Sequence, residues 1–375
     1  MNKLLKNIDP LIPIITLILV AIGFLIITSA TYDVSNSPWT NPFLIRQFIA
    51  FILGTTALIV SLFFDYRSLK NYSEIIYVCN ILILLSVLMF GETAQGGQRW
   101  LVLGPIVFQP SELAKLAVII TLADLLATDK YNLDNIFGLL VPCLHILLPV
   151  ALIFLQNDLG TSLVVIAIFL GIIYAAGANS KIFFGSIGGI LATVITWITL
   201  HVNFDIPIPL QTYQLNRLLV LVNPALDPLG SGYNVIQSKI AIGGGGLFGQ
   251  GLFSGTQNKL NFLPEMHTDF IFSVLGEEFG FIGVAVVLIL YFVLLWQAMK
   301  VVAEAKDSFG VLIVIGIITM FAFHIFENVG MTLGIMPVTG ITLPFLSYGG
   351  SSLITNMLAV GLILNVSMRK KKILF

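Results

Sequence analysis

The sequence is poor in charge. Of its 375 residues, 18 are Lys or Arg and 19 are Asp or Glu, together 10% of the chain, where a soluble domain has about a quarter. Cysteine is nearly absent. The 2 present, Cys79 and Cys143, both lie in apolar runs, so a disulfide scaffold is excluded. Of the 4 histidines, His145, His201 and His324 are isolated, and no His/Cys/Asp spacing reads as a zinc site. No Ser-His-Asp or Cys-His arrangement is readable. With a net charge of −1 and no basic patch, a nucleic-acid partner is disfavoured. The polar connections on the expected cytoplasmic side are short and hold no ATPase or kinase motif. What remains is apolar: 57% hydrophobic residues with 28 Phe, and a mean hydropathy of +1.00. Such a chain cannot face water over most of its surface. It reads as an all-α polytopic membrane protein forming one integral domain over 1–375.

A spanning helix needs about 20 mostly apolar residues. Ten runs qualify, near 11–29, 44–64, 73–90, 112–128, 136–155, 161–177, 182–202, 270–296, 309–326 and 353–367. The first resembles a signal peptide ending at Thr28-Ser29-Ala30, but its apolar core from Leu11 to Ile27 is too long, so it reads as a retained helix. Lys and Arg set the orientation. With both termini cytoplasmic, 12 of the 18 fall inside: Lys3, Lys6, Arg67, Lys70, Lys130, Lys181, Lys300, Lys306, Arg369, Lys370, Lys371 and Lys372. Arg46, Arg99, Lys115, Arg217, Lys239 and Lys259 fall outside or at outer helix ends. Against the sorting rule, these six suggest an outer function. Two outer segments are long, 91–111 and the glycine-rich, apolar 203–269 between spans seven and eight. Loops of that length are usually functional or disordered, and the composition of 203–269 favours one folded back on the membrane surface.

Ionisable residues in or beside a span are costly and point to function. In Gln109-Pro110-Ser111-Glu112-Leu113-Ala114-Lys115, Ser111 suits a helix N-cap, and Glu112 and Lys115 share a face at i,i+3. They read either as a structural ion pair or as a pair meeting an anionic substrate. In Pro264-Glu265-Met266-His267-Thr268-Asp269, a polar triplet abuts a strongly apolar helix. Thr268 or Asp269 is a plain N-cap, or Asp269 is a functional carboxylate. Ser273, Gly276 and Gly280 follow Asp269 on one helical face and leave room for a ligand or a close neighbour. Glu277 and Glu278 are candidate partners for Arg or Lys. Gly244, Gly246 and Gly249 match a dinucleotide fingerprint without its βαβ setting, so a tight backbone or an anion-binding nest is expected instead. Ser347-Tyr348-Gly349-Gly350-Ser351-Ser352 opens the last span: either its helix N–H groups favour phosphate, with Ser351 a candidate contact, or its small residues serve loop flexibility and close helix packing.

In this order, these segments resemble the SEDS family (shape, elongation, division and sporulation), polytopic bacterial cell-wall polymerases. The resemblance covers essentially the whole chain. It is carried by Gly97-Gln98-Arg99-Trp100, the Gln109–Lys115 stretch, Gln156-Asn157-Asp158-Leu159-Gly160-Thr161, Asp227–Tyr233, Gln237-Ser238, Leu263–Phe272 and Pro337–Ser352. Gly255-Thr256-Gln257 and Leu260–Pro264 look like the elongation-type, RodA-like branch more than the division-type one. Asn157 stands where the family commonly has proline. The resemblance implies a peptidoglycan glycosyltransferase of the bacterial cytoplasmic (inner) membrane. Its substrate would be lipid II, and it would extend a nascent glycan strand through inverted β-1,4 bonds with undecaprenyl diphosphate leaving. It further implies Asp269 as the essential acidic residue, Glu112 and Lys115 as motif residues, a class B penicillin-binding protein as transpeptidase partner, and a divalent cation (Mg²⁺ or Mn²⁺).

The residues suit that chemistry. A diphosphate leaving group needs no strong acid. The reaction needs a base for the acceptor hydroxyl and cations for the departing charge. Asp269 is the candidate base. Arg217, Lys239, Lys259, Lys115 and Arg99 are candidate cations, and Arg46, Trp100 and His267 candidate substrate contacts. The 203–269 segment is expected to close over the lipid-linked diphosphate. Rival readings are a lipid II flippase or other transporter, and a scaffold that only recruits the transpeptidase. The acidic and basic candidates concentrate on the outer side, not at the midplane where a transporter holds its substrate.

Overall fold

The structure is a computed structural model describing residues 9–32, 41–94, 97–103, 106–128, 131, 133–204, 207, 212–260 and 262–370. Lys3, Lys6, Lys130, Asp205, Lys371 and Lys372 lie outside the described residues.

Every apolar run is a helix. They are α1 (Leu11–Ala30), α2 (Pro42–Phe63), α3 (Ser73–Phe90), α4 (Pro110–Leu126), α5 (Ile136–Leu155), α6 (Leu159–Ala175) and α7 (Ser180–Phe204), then α11 (Ile271–Glu304), α12 (Ser308–Leu333) and α13 (Gly350–Met368). Eight helices among the described residues are long and apolar enough to cross a membrane. α4 and α6, at 17 residues each, are shorter than that length. The 203–269 segment contains three further helices, α8 (Thr212–Val222), α9 (Ser231–Gly244) and the single turn α10 (Thr256–Lys259). One departure from the all-α expectation lies in 91–111. There β1 (Glu92–Ala94), β2 (Gly97–Leu103) and β3 (Ile106–Phe108) form an antiparallel sheet in the order β1-β2-β3.

In two of the helices the more polar face is the buried one. α13 has the lowest mean hydropathy of the eight long helices, 1.5, yet is 89% buried. Ser351, Ser352, Thr355, Asn356 and Asn365 all face the interior. Lipid competes with protein for apolar surface, so interiors gather small and polar groups. α2 shows the same division, burying Gln47, Ala50 and Gly54 while exposing Phe48, Ile49, Ile52 and Leu53. Opposite the sheet, ion pairs tie the other helix ends: Arg67–Asp307 at 2.9 Å, Arg369–Asp65 at 3.5 Å and Lys370–Glu304 at 2.9 Å.

The glycine run has a packing role. α11 is broken at Gly280, whose φ of 64° and ψ of −163° interrupt the helical ladder. A break in an apolar helix leaves polar backbone groups unsatisfied. The 246–251 backbone supplies the missing partners. Gln250 N donates to Glu277 O at 2.9 Å and Gly251 N to Glu278 O at 3.0 Å. In return, Phe281 N donates to Gly246 O at 2.9 Å and Ile282 N to Leu247 O at 3.2 Å. A Cβ on Gly249 would strike the Glu278 carbonyl, and one on Gly280 would strike the Gly249 amide. Of the two readings of this run, a tight backbone or an anion-binding nest, the structure shows the tight backbone, which sutures the broken helix. Among the described residues, Glu277 and Glu278 form no ion pair with Arg or Lys. Glu277 accepts from Gln257 N at 2.8 Å, and Glu278 from the Ser29 hydroxyl and from Asn258 at 3.2 Å.

Gly280→Ala is expected to lower the thermal unfolding midpoint in detergent, because the left-handed backbone costs about 1–3 kcal/mol for a non-glycine residue and the added methyl also meets backbone. An unchanged midpoint would show that the suture adds nothing to stability.

Candidate functional site

The His267-Thr268-Asp269 triplet lies in a turn just before α11, which starts at Ile271 with no side-chain cap bond at Phe270. The N-cap reading of Thr268 or Asp269 is therefore corrected: the Thr268 hydroxyl donates back to Glu265, at 3.2 Å to its carbonyl and 3.2 Å to its carboxylate. Glu265 sits at φ 51°, a conformation uncommon outside glycine. Its carbonyl accepts from the amides of Thr268, Asp269 and Phe270 at 3.2, 3.1 and 3.4 Å. The three carbonyls of the triplet are held from outside. Tyr348 N donates to His267 O at 2.9 Å, the Ser347 hydroxyl to Thr268 O at 2.6 Å, and Asn328 Nδ2 to Asp269 O at 2.8 Å. The same Asn328 nitrogen donates to Ile341 O at 2.7 Å.

The Asp269 carboxylate opens into a cavity of about 530 Å³ whose lining includes Arg99, Arg217, Asp227, Glu265 and Gly340. Gly340 has φ 76°, and a Cβ there would come within 3.1 Å of Asp269 Oδ2, so glycine keeps the space beside the carboxylate open. Burial pushes the Asp269 carboxyl up to about 6. The Glu265 charge pushes the same way, while Arg217, Arg99 and the Thr268 hydrogen bond oppose it. Arg99 reaches the site from β2. Its guanidinium donates to Asn157 O and lies 3.9 Å from Asp158 Oδ1. Asp158 caps α6 through Thr161 N at 3.1 Å and accepts from Gln109 and Ser111 at 3.1 and 3.2 Å.

Of the residues singled out in the sequence, Asp269, Arg99 and Arg217 therefore meet in one cavity. Lys259 and His267 line a second cavity bordering the triplet, where burial holds the His267 imidazole below its ordinary range. Glu112, Lys115, Lys239, Ser351, Trp100 and Arg46 line neither. Lys115 is fully buried, 3.0 Å from both Glu112 oxygens and 2.9 Å from His324 Nε2. An ammonium only donates, so Nε2 accepts, and Nδ1–H donates to Thr342 O at 3.0 Å. Thus His324 is not isolated, and the structure shows the ion-pair arrangement for Glu112 and Lys115. Lys239 lies over Gly334, the C-terminal cap of α12, where a cation is favourable. The Ser351 hydroxyl accepts from Gln109 N at 3.0 Å, and the Gly349 amide donates to Gln47 at 3.1 Å. These bonds join the start of α13 to α2 and α4, the close helix packing that was the other reading of this cluster. Trp100 lies in β2 opposite Glu92, and Arg46 is exposed on α2.

The family model for the cell cycle proteins FtsW, RodA and SpoVE matches residues 9–372. This chain belongs to that family. The stage V sporulation protein E of Bacillus subtilis is 38% identical over 96% of each chain. The peptidoglycan glycosyltransferase MrdB of Escherichia coli is 36% identical over 97% of this chain and 95% of its own. A solved chain from a peptidoglycan synthase complex that coordinates polymerization and crosslinking superposes with a TM-score of 0.79. It is 34% identical and covers 96% of this chain and 97% of its own.

Two residues escaped the sequence reading of this FtsW/RodA/SpoVE chain. Asn328 and Glu327 are adjacent and fully buried in α12. Glu327 accepts from the Thr339 hydroxyl at 2.9 Å, next to Gly340. An acid–amide pair inside an apolar span was the available signal. Among the described residues no group of three or more His, Cys, Asp or Glu side chains could hold a metal ion. A divalent cation shared with a diphosphate needs only one or two carboxylates, and Asp227, Glu265 and Asp269 line the cavity beside Arg99 and Arg217.

Removing one partner of a buried ion pair strands the other charge, at a cost of about 3–5 kcal/mol. Glu112→Gln and Lys115→Met are each expected to lower the yield of folded protein sharply, with the double variant less impaired than the sum. A double-mutant cycle on thermal stability checks this. Strict additivity would mean that the two side chains act separately.

Proposed function

We propose that this chain is a peptidoglycan glycosyltransferase of the bacterial cytoplasmic membrane that polymerises lipid II, with Asp269 as general base. The observation that carries the reading is a half-buried carboxylate sharing one cavity with two arginines at the end of a membrane-spanning helix. In the proposed step, the acceptor hydroxyl oxygen attacks the anomeric carbon of the donor sugar from the face opposite the diphosphate. Its proton passes to Asp269. The carbon–oxygen bond to diphosphate breaks, its electron pair leaves with the lipid diphosphate, and the configuration inverts from α to β. Arg99 and Arg217 face the charge that develops on the leaving oxygen. Placing this site at the bilayer edge suits a substrate whose lipid tail never leaves the membrane.

The orientation with both termini cytoplasmic, and so the 203–269 segment outside, belongs to this proposal. It rests on the 12-to-6 division of basic residues. The elongation role rests on the Gly255–Pro264 sequence. A class B penicillin-binding protein is the proposed partner, because a relative in a complex that couples polymerization to crosslinking superposes along nearly the whole chain. The FtsW/RodA/SpoVE fold then supplies the strand and the partner supplies the crosslinks.

Asp269→Asn keeps the side-chain volume and removes the base. Its rate of lipid II polymerisation is expected to fall by about 10²–10⁴-fold while the protein inserts normally. The base acts only when ionised, and its carboxyl is pushed up to about 6. Turnover should therefore rise with pH below that value, with a log-rate slope of about one, and level off above it. Full activity in Asp269→Asn would overturn the assignment, and a flat profile below pH 6 would show that another group limits the rate. Lipid II translocation measured on the same variant separates polymerase from flippase, since a flippase has no use for the base.

A further inference from the structure

The triplet borders two cavities. The second, of about 570 Å³, is as large as the one holding Asp269 and shares one wall residue with it, Glu265. Both volumes lie within the range of a small-molecule site. Their linings differ in kind. The Asp269 cavity offers two guanidinium groups. The second offers rings: Tyr32 and Phe253, with centroids 5.0 Å apart, and Phe43 and His267, at 4.6 Å. Its cation is Lys259, which is exposed and whose ammonium makes no hydrogen bond or ion pair among the described residues.

Two lining residues hold a left-handed backbone without being glycine, Phe253 at φ 57° and Glu265 at φ 51°. Such conformations persist where the surroundings enforce them, and they cluster at ligand sites. Phe253 is held by its backbone hydrogen bond to the Glu278 carboxylate, and Glu265 by the three amides that its carbonyl collects. Two of the wall's backbone positions are thus fixed, and its lining combines the apolar rings of Phe43 and Phe253 with Tyr32 and His267, rings that also carry a polar atom. That surface matches a pyranose, whose axial C–H groups form an apolar face and whose hydroxyl and acetamido groups form a polar rim.

Resting on the glycosyltransferase reading, we infer that this second cavity, walled by Tyr32, Phe43, Phe253 and His267 and edged by Lys259, seats the amino-sugar unit of the second substrate. The polymerising step joins two saccharides, and each must be held while the bond forms. The arginine-lined cavity suits the sugar that carries the departing diphosphate. The ring-lined cavity suits the saccharide that brings the hydroxyl, which reaches Asp269 around Glu265, the residue both cavities share. Tyr32, Phe253 and Lys259 then act in binding and touch no reacting atom.

The probe is the soluble β-1,4-linked disaccharide of N-acetylglucosamine and N-acetylmuramic acid, without lipid or phosphate, added to the full chain in detergent. In Tyr32→Trp the indole emission should change saturably with disaccharide, beyond any change in the parent chain, and it should do so equally when Asp269→Asn is added. In steady state, Tyr32→Ala should raise KM for lipid II about tenfold with kcat little altered. If the indole does not respond while the chain polymerises lipid II, the subsite is absent and the glycosyltransferase reading stands. A saturable response in a chain that never polymerises lipid II keeps the saccharide site and removes the reading it was built on. A fall in kcat at unchanged KM for Tyr32→Ala would overturn the inference.

Discussion

Three consecutive backbone carbonyls set the geometry of this protein's site. Those of His267, Thr268 and Asp269 are held by Tyr348 N, the Ser347 hydroxyl and Asn328 Nδ2. A turn at a membrane edge has no helical ladder of its own, so its polar groups need partners from elsewhere. Here those partners come from α12 and from the segment that leads into α13. Gln47 of α2 braces that segment, donating to Ser347 O at 3.3 Å and accepting from Gly349 N at 3.1 Å. The Lys115–Glu112 pair reaches it too, through His324 and the Thr342 carbonyl. Helices α2, α4 and α12 and the segment before α13 thereby converge on the backbone around a single carboxylate.

The same economy of polar groups explains the interior. α13 is the most buried of the long helices, and its Ser, Thr and Asn side chains face protein, where they find polar partners that lipid does not offer. The break at Gly280 persists because the glycine run supplies hydrogen bonds that a continuous helix would make within itself. The run is rich in glycine because two backbones must approach closer than any side chain allows.

Helices were legible because a bilayer demands long apolar runs, and each run became one. The His-Thr-Asp triplet was legible because charge beside such a run is costly. Other features depend on contacts across the chain. Lys115 and His324 are 209 positions apart, so each taken alone was an ambiguous residue in an apolar stretch. The sheet was missed because strands of 3 to 7 residues carry no signal comparable with a membrane helix. Asn157 is instructive. It stands where the resemblance leads one to expect proline, yet its φ is 61°, whereas a proline ring holds φ near about −65°. Its amide also donates to Phe154 O at 3.0 Å, a bond proline lacks. The substitution belongs to the turn that positions Asp158 and receives Arg99.

The central claim is that the proposed base works because the clamp fixes its place. Asn328 tests this most directly, since its one nitrogen joins the Asp269 carbonyl to the Ile341 carbonyl without touching the cavity. Single-turnover polymerisation of lipid II by Asn328→Ala should slow by at least about tenfold, as expected when a reacting group is displaced, with KM for lipid II and membrane insertion unchanged. The conservative Asn328→Gln should recover part of the rate. A wild-type rate in Asn328→Ala would contradict the account, because the carboxylate would then hold its position without the clamp.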